Sequence, residues 1–166
     1  MSTDEPSIRA EDVIRLDWGW PSLELNPTAS FGASALGFFS DTDLVQSALH
    51  YGTFAGAADV REAYAHFLSQ QRTSQLSAEQ LFVTSGAGTA IDLLCCLHAR
   101  TGQTVLTQGA TYQNALKIFS SHQLQVEAIP QNAAGAIDLK TLDARLTEER
   151  ERFGLIYLVP TYSNPT

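Results

Sequence analysis

Short apolar runs alternate with helix-like segments from Ser77 to the end of the chain, and this alternation constrains the fold most. The runs have the length of buried strands, and the segments between them have the three- and four-residue apolar spacing of helices. The predicted strands are 81–84, 104–107, 124–129 and 155–159, and the predicted helices are 89–99, 113–121 and 139–152. This order predicts a largely parallel α/β sheet with right-handed crossovers.

The segment that precedes this alternation has a different character. Its first 40 or so residues carry turn-forming Gly, Pro and Asn next to aromatic side chains, which predicts an irregular arm. Asp41 and Asp43 favour the start of a short helix over 44–49, and Asp59 favours the start of a second helix.

The charge balance excludes some partners. The 166 residues contain 10 Lys and Arg against 18 Asp and Glu, a formal net charge of −8. Binding to nucleic acid depends largely on Lys and Arg, so we expect no nucleic-acid partner. No stretch reaches the roughly 18 apolar residues that cross a bilayer, and the N-terminus lacks the features of a signal peptide. The sequence predicts a cytoplasmic protein without membrane contact.

Metal and hydrolase chemistry have no support in the linear sequence. Cys95 and Cys96 are adjacent in an apolar helical pattern, which is typical of reduced packing residues. The four histidines have no ligand spacing with one another or with these cysteines, so no metal site is predicted. No GxSxG nucleophile motif is present.

Ligands of parallel α/β sheets bind at the carboxyl ends of the strands. Residues 85–88 follow one predicted strand and open a helix, so their backbone N–H groups could hold a phosphate. A tight turn needs glycine for steric reasons too. Tyr112 and Asn164 follow two other strands, where they could stack on a planar ring and hydrogen-bond a ligand, or serve as capping and packing residues.

Several motifs together resemble a known family in order and spacing. The chain is similar to the fold-type I pyridoxal-phosphate aminotransferases of class I/II, in the branch of 2-aminoadipate aminotransferase. That branch is shared with the aminotransferase-like halves of certain transcription regulators. The motifs are Tyr51-Gly52, Gly56, Val60-Arg61-Glu62-Ala63, residues 81–88, Thr111-Tyr112, Tyr157-Leu158-Val159-Pro160 and Ser163-Asn164-Pro165-Thr166.

The resemblance implies a three-layer α/β sandwich like the large domain of these enzymes, here incomplete. Residues 1–50 would form an arm and a short helix, and residues 51–166 the first part of the cofactor domain. Tyr51 would contact the cofactor phosphate of the partner subunit in a homodimer. The implied roles in the chain's own site are phosphate binding by Ser85, Gly86, Ala87 and Gly88, ring stacking by Tyr112, a hydrogen bond to the 3′-oxygen of pyridoxal 5′-phosphate by Asn164, and substrate contact by Gly19.

The implied activity is transfer of an amino group between an amino acid and a 2-oxo acid. The family's Schiff-base lysine, its aspartate and its substrate-binding arginine lie beyond the Asn164-Pro165 motif, and neither Lys117 nor Lys140 has the family's setting. We therefore expect a truncated front part with no catalytic residue of its own, inactive alone. The alternatives are a non-catalytic cofactor-sensing module, a degenerate remnant, or a generic nucleotide-binding domain that rests on the Gly86–Gly88 turn.

Overall fold

The computed structural model describes residues 22–165, which divide between Gly52 and Thr53 into two compact units. The first unit contains a 3-10 turn at Leu23–Leu25 and the helices α1, Thr28–Ser40, and α2, Thr42–Leu49. Asp41 ends α1 and caps α2, where its Oδ1 accepts the N–H groups of Asp43 and Leu44 at 3.0 and 3.1 Å. The predicted short helix is confirmed.

The prediction of an irregular arm is wrong for α1. The Phe31-Gly32 pair suggested a turn, yet Gly32 lies inside the helix, as does Gly37. Each glycine costs a helix about 1 kcal/mol relative to alanine, but Ala29, Ala33 and Ala35 are strong helix formers in the same segment. Isolated glycines therefore weaken α1 without interrupting it.

The second unit holds the remaining elements. Its helices are α3, Ala58–Ser69, α4, Ala87–His98, α5, Gln113–Ser121, and α6, Leu139–Glu148, with 3-10 turns at Ala78–Gln80 and Arg150–Arg152. Its strands are β1, Thr104–Thr107, β2, Gln125–Ala128, and β3, Phe153–Tyr157. The bounds of β1 and α5 agree with the prediction, whereas α3 begins one residue before Asp59, with Ala57 as its N-cap, and α6 ends before the predicted Arg152.

The described sheet has the order β2-β1-β3, and both pairs are parallel. The predicted parallel α/β sheet is confirmed. β1 is central, and all four of its residues are buried. Thr107 lies in register with Ala128 on one side and Tyr157 on the other, so the three strands end at one edge.

Helices cover both faces of this sheet. On one face, α4 and α5 pack on β1 through the buried side chains of Cys95, Val105 and Phe119. The Phe119 ring meets the Tyr157 ring of β3 edge-on, at 5.6 Å between centroids. On the other face, Arg145 of α6 donates to Glu127 of β2 at 2.8 Å and lies over the Phe153 ring. The result is the expected three-layer arrangement.

The segment 81–84 was predicted as a strand and is not one. Its backbone is extended at Leu81, but no described strand pairs with it. The Val83 N–H donates instead to the Ala55 carbonyl at 2.9 Å. An apolar run predicts an extended backbone. A β-strand also needs a neighbouring strand whose backbone N–H and C=O groups pair with its own.

A partly exposed turn at Gly56 fixes the position of this extended segment. Gly56 has a φ of +99°, and a Cβ there would lie 2.9 Å from the Cβ of Val83. Arg61 of α3 makes two hydrogen bonds to the backbone around this turn. Its Nε donates to the Gly56 carbonyl at 3.1 Å, and its Nη1 donates to the Ala78 carbonyl at 2.7 Å. Arg61 thereby joins α3 to the Gly56 turn, which contacts Val83, and to the 3-10 turn that leads into residues 81–88. Among residues 22–165, no helix combines the length and apolar character needed to traverse a bilayer.

Candidate functional site

The carboxyl ends of β1 and β3 are joined by a side chain. Gln108 directly follows β1, and its Oε1 accepts the backbone N–H of Val159, two residues past β3, at 3.0 Å. The Thr107 hydroxyl donates to the Gln108 carbonyl at 3.0 Å. No motif in the sequence indicates this role for Gln108. Its signal was a polar residue placed immediately after a fully buried strand.

Residues 85–88 form the turn into α4. Gly86 has φ 87° and ψ 169°, a conformation open essentially to glycine alone. The Gly86 N–H donates to the Thr84 carbonyl at 2.8 Å, and the Thr84 hydroxyl donates to the Gly86 carbonyl at 3.0 Å. These bonds define a tight turn whose backbone angles would strain any residue other than glycine at position 86.

The N-terminus of α4 is open to a ligand. No side chain of the described residues caps it, and a Cβ on Gly86 would meet nothing within 4 Å. The first N–H groups of a helix have no intrahelical partner, and they carry the positive end of the helix dipole. In this chain those groups belong to Ala87, Gly88 and Thr89, so the turn presents donors to an anion.

The packing of α4 shows which edge of the sheet its N-terminus approaches. Ala99, just past its C-terminal end, is 3.2 Å from the Cβ position of Gly154, near the start of β3. The C-terminal end of α4 therefore lies at the amino edge of the sheet. A helix of 12 residues is about 18 Å long, which places its N-terminus towards the carboxyl edge. Near its first turn, the Cβ position of Gly88 is 3.9 Å from the Ile118 Cδ1 of α5.

Tyr112 lies at the N-terminus of α5, in the connection that leaves the carboxyl end of β1. Its hydroxyl accepts the Asn114 side-chain N–H at 2.7 Å, which limits rotation of the phenol. The ring is 37% exposed, so one part packs and another faces solvent. The neighbouring Thr111 hydroxyl is buried and has no hydrogen-bond partner among residues 22–165.

The other candidate residues differ in their placement. Asn164 is exposed in the segment that follows β3, and it belongs to the second unit with Tyr112 and residues 85–88. Tyr51 belongs to the first unit, follows α2 and is fully exposed. Gly19 lies outside the described residues. Ser85, Gly86, Ala87 and Gly88 are all exposed.

The turn into α4 and the segments that follow β1 and β3 contain no charged side chain. The segments 81–88, 108–112 and 158–165 contain apolar, hydroxyl, amide and aromatic residues. Near the α4 N-terminus, these segments therefore add no carboxylate that would repel an anion. The donors and the ring suit a planar ligand that carries a phosphate.

A three-layer parallel α/β unit with an uncapped, glycine-led helix at its carboxyl edge defines a class of cofactor-binding domains. The family model for aminotransferase class I and II matches residues 39–166. The chain belongs to this aminotransferase family.

Individual relatives agree with this family. The chain is 27% identical over 161 residues to aromatic-amino-acid aminotransferase 1 of Thermococcus litoralis, covering 95% of the chain and 38% of the relative. It is 28% identical over 154 residues to 2-aminoadipate transaminase of Thermus thermophilus, covering 93% of the chain and 36% of the relative. The chain thus spans well under half the length of these relatives.

A solved structure supports the same fold. The structure of LysN, the α-aminoadipate aminotransferase of Thermus thermophilus, in complex with N-(5′-phosphopyridoxyl)-L-leucine, matches with a TM-score of 0.71 and 26% identity. The match covers 90% of the chain and 36% of that structure. The described elements therefore correspond to part of a fold-type I aminotransferase.

Proposed function

We propose that the intact protein is a pyridoxal-phosphate-dependent aminotransferase that moves an amino group between an amino acid and a 2-oxo acid. In this proposal residues 51–166 are the front part of its cofactor domain. The observation that carries the proposal is the uncapped N-terminus of α4, led by Gly86 at φ 87°. Family membership and the ligand of the LysN structure support the choice of cofactor.

Residues 85–88 bind the cofactor phosphate in this proposal. The backbone N–H groups of Ala87, Gly88 and Thr89 donate to its oxygens, and Ser85 offers an additional hydroxyl. Hydrogen bonds to charged groups contribute about 1.5–3 kcal/mol each. Since Gly86 has no side chain, the phosphate can approach the backbone closely.

Tyr112 and Asn164 orient the ring. Tyr112 stacks on one face of the pyridine and keeps water away from it, while Asn114 holds the phenol by its hydrogen bond. Asn164 donates from its side-chain amide to the 3′-oxygen. When bound, pyridoxal phosphate supplies an electron sink for the electrons released at the substrate α-carbon.

The resemblance implies roles for two further residues, Tyr51 and Gly19. The exposed phenol of Tyr51 suits a residue that contacts the cofactor phosphate of the partner subunit in a homodimer. Gly19 would lie against the substrate. Its role rests on the resemblance alone.

The 166 residues alone are proposed to bind cofactor without catalysing transamination. Covalent attachment and proton transfer at the α-carbon need a lysine at the ring. Lys117 lies on an exposed part of α5 and Lys140 in the first turn of α6, and neither follows a strand at the carboxyl edge. The lysine would come from the part of the relatives that this chain does not match.

An activity assay on the intact protein tests the proposal. Purified protein with pyridoxal phosphate is offered 2-aminoadipate, an aromatic amino acid or alanine together with a 2-oxo acid, and the new amino acid is measured. We expect transfer from at least one donor. Asn164→Ala should lose cofactor affinity. The control, Asn132→Ala, lies between the bridged residues Gln131 and Ile137 before α6 and should keep that affinity. Cofactor binding without transfer from any donor would instead favour the sensing module.

A further inference from the structure

Away from the carboxyl edge, the helices α4 and α5 bring three potential metal ligands together. They are Asp92, Cys96 and His122, and one ligand atom from each lies within 4.8 Å of the other two. His122 Nε2 and Asp92 Oδ1 are 2.7 Å apart. The linear spacing predicted no metal site, because His122 joins the pair only through the packing of two helices.

Local structure explains why these side chains converge. Asp92 and Cys96 are four residues apart on α4, so they lie on one face of the helix, one turn apart. His122 is the C-cap of α5, where its backbone N–H donates to the Ile118 carbonyl at 3.2 Å. Since Ile118 also packs on the core beneath the two helices, His122 is held beside the α4 face.

We propose that this cluster is a binding site for a divalent zinc-class cation, with Asp92, Cys96 and His122 as ligands. Thiolate, imidazole and carboxylate together form a donor set that suits zinc, whereas calcium and magnesium prefer oxygen alone. Ligands around tetrahedral zinc lie roughly 3.3–3.8 Å apart, from bonds of about 2.0–2.3 Å. Asp92 and Cys96 are exposed, so small side-chain rotations can bring all three separations into this range, including the 2.7 Å pair of Asp92 and His122, which must move slightly apart.

The coordination expected is three protein ligands with one position left to water. His122 contributes Nε2, the atom that now faces Asp92, so its direct hydrogen bond would be exchanged for a shared cation. Cys95 is 1% exposed and packs in the core, so it does not compete as a ligand. The exposed Cys96 is the thiol that the site uses.

The site is placed to join helices rather than to take part in transamination. At about 1.5 Å per residue, Asp92 and Cys96 lie some 9 and 15 Å along α4 from Gly86. A bound cation would fix α4 to the end of α5. Gly86 and Tyr112 are the N-caps of these two helices, at the ends away from His122. The cation would therefore rigidify the two helices that present the proposed cofactor site.

Cobalt(II) titration tests the proposal on the purified chain, kept reduced with a phosphine and free of added pyridoxal phosphate. Thiolate coordination gives a charge-transfer absorption, which we expect to saturate at one cobalt per chain and to disappear when zinc(II) is added. Competition with a zinc indicator gives the affinity. The variants are Cys96→Ser and His122→Gln, and His98→Gln on the exposed end of α4 is the matched control.

Cys96→Ser should abolish the absorption, and His122→Gln should weaken zinc binding about 10-fold or more, as loss of even a supporting partner does at such sites. His98→Gln should bind like the parent chain, and circular dichroism checks that each variant is folded. Failure of the parent chain to bind cobalt at one equivalent overturns the proposal. Equal affinity in His122→Gln also overturns it, because the cation would then be held by a lone thiol.

Discussion

Gln108 and Val159 are joined by a hydrogen bond from the Val159 backbone N–H to the Gln108 side-chain oxygen, at 3.0 Å. This bond connects the residues that follow the two adjacent strands β1 and β3. The segment after β3 leads to Asn164, and the segment after β1 leads to Tyr112. One amide side chain therefore sets the spacing between the two loops proposed to orient the cofactor ring.

Gln108→Leu should destabilise the chain and weaken cofactor binding together. The half-buried Val159 N–H would lose its acceptor, which costs about 1–3 kcal/mol. Urea unfolding and a titration with pyridoxamine 5′-phosphate measure the two effects.

The matched control lies just before the other end of β1. Gln103 accepts the Arg100 N–H and donates to the Glu151 carbonyl, both at 2.8 Å. Gln103→Leu should lower stability without changing the affinity of the folded chain for the cofactor. Equal losses of affinity in both variants would show that Gln108 acts through general stability.

Gly86→Ala should strain the turn into α4. An alanine at φ 87° and ψ 169° costs about 1–3 kcal/mol, although the space around its Cβ is open. The added methyl would also stand beside the N–H groups proposed to bind phosphate. We expect lower stability and weaker phosphate-dependent binding by calorimetry.

Gly102→Ala separates the two effects of Gly86→Ala. Gly102 has a φ of +86° and open space around its Cβ position, but it precedes β1 at the amino edge of the sheet. This variant should be strained as well and bind the cofactor normally. A cofactor affinity unchanged in Gly86→Ala would remove that turn from the proposed site.

The cap of α6 predicts a pH dependence. Hydrogen bonds from the Thr141 hydroxyl and backbone N–H lower the pKa of Asp138 below its usual value. A carboxylate with a lowered folded-state pKa stabilises the fold above its unfolded pKa of about 3.9, and that contribution is lost as pH falls through the folded-state pKa.

Thermal unfolding measured from neutral pH downwards checks this sign. The stability difference between the parent chain and Asp138→Asn should be constant near neutrality and shrink below about pH 4. Thr141→Val removes one of the two donors, so it should reduce the difference. A difference that grows on acidification would contradict the assigned direction.

The two cysteines should differ in reactivity. Cys96 is exposed, whereas burial raises the pKa of the Cys95 thiol and lowers its thiolate fraction. In the folded chain at mildly alkaline pH, we expect one thiol to react with a disulfide reagent, and Cys96→Ser should abolish that reaction. Rapid labelling of two thiols per folded chain would contradict the packing of Cys95.

The sequence predicted most of the second unit because its signals are local. β1 is a short apolar run, and α5 has apolar residues at helical spacing. The predicted bounds of both elements therefore equal the observed ones. The segment 81–84 was misassigned because strand formation depends on a pairing partner, which composition does not specify. In α1, the alanines favour a helix more strongly than the isolated glycines oppose it.

The candidate site was predicted in part. The glycine turn at Gly86 and the position of Tyr112 follow from the strand-to-helix order, and their proposed ligand follows from the family resemblance. The bond between Gln108 and Val159 and the cluster around His122 join residues far apart in the chain. Tertiary packing alone brings these groups together, so no spacing rule could indicate them.

The most direct test of the central claim compares two ligands that differ only in the phosphate. Calorimetry with pyridoxamine 5′-phosphate and with pyridoxamine measures how much of the binding the phosphate supplies. We predict at least about tenfold tighter binding of the phosphorylated ligand, since one hydrogen bond to a charged group contributes about 1.5–3 kcal/mol, and loss of this preference in Gly86→Ala. Equal affinity for both ligands, or no binding of either, would contradict a phosphate site at the N-terminus of α4.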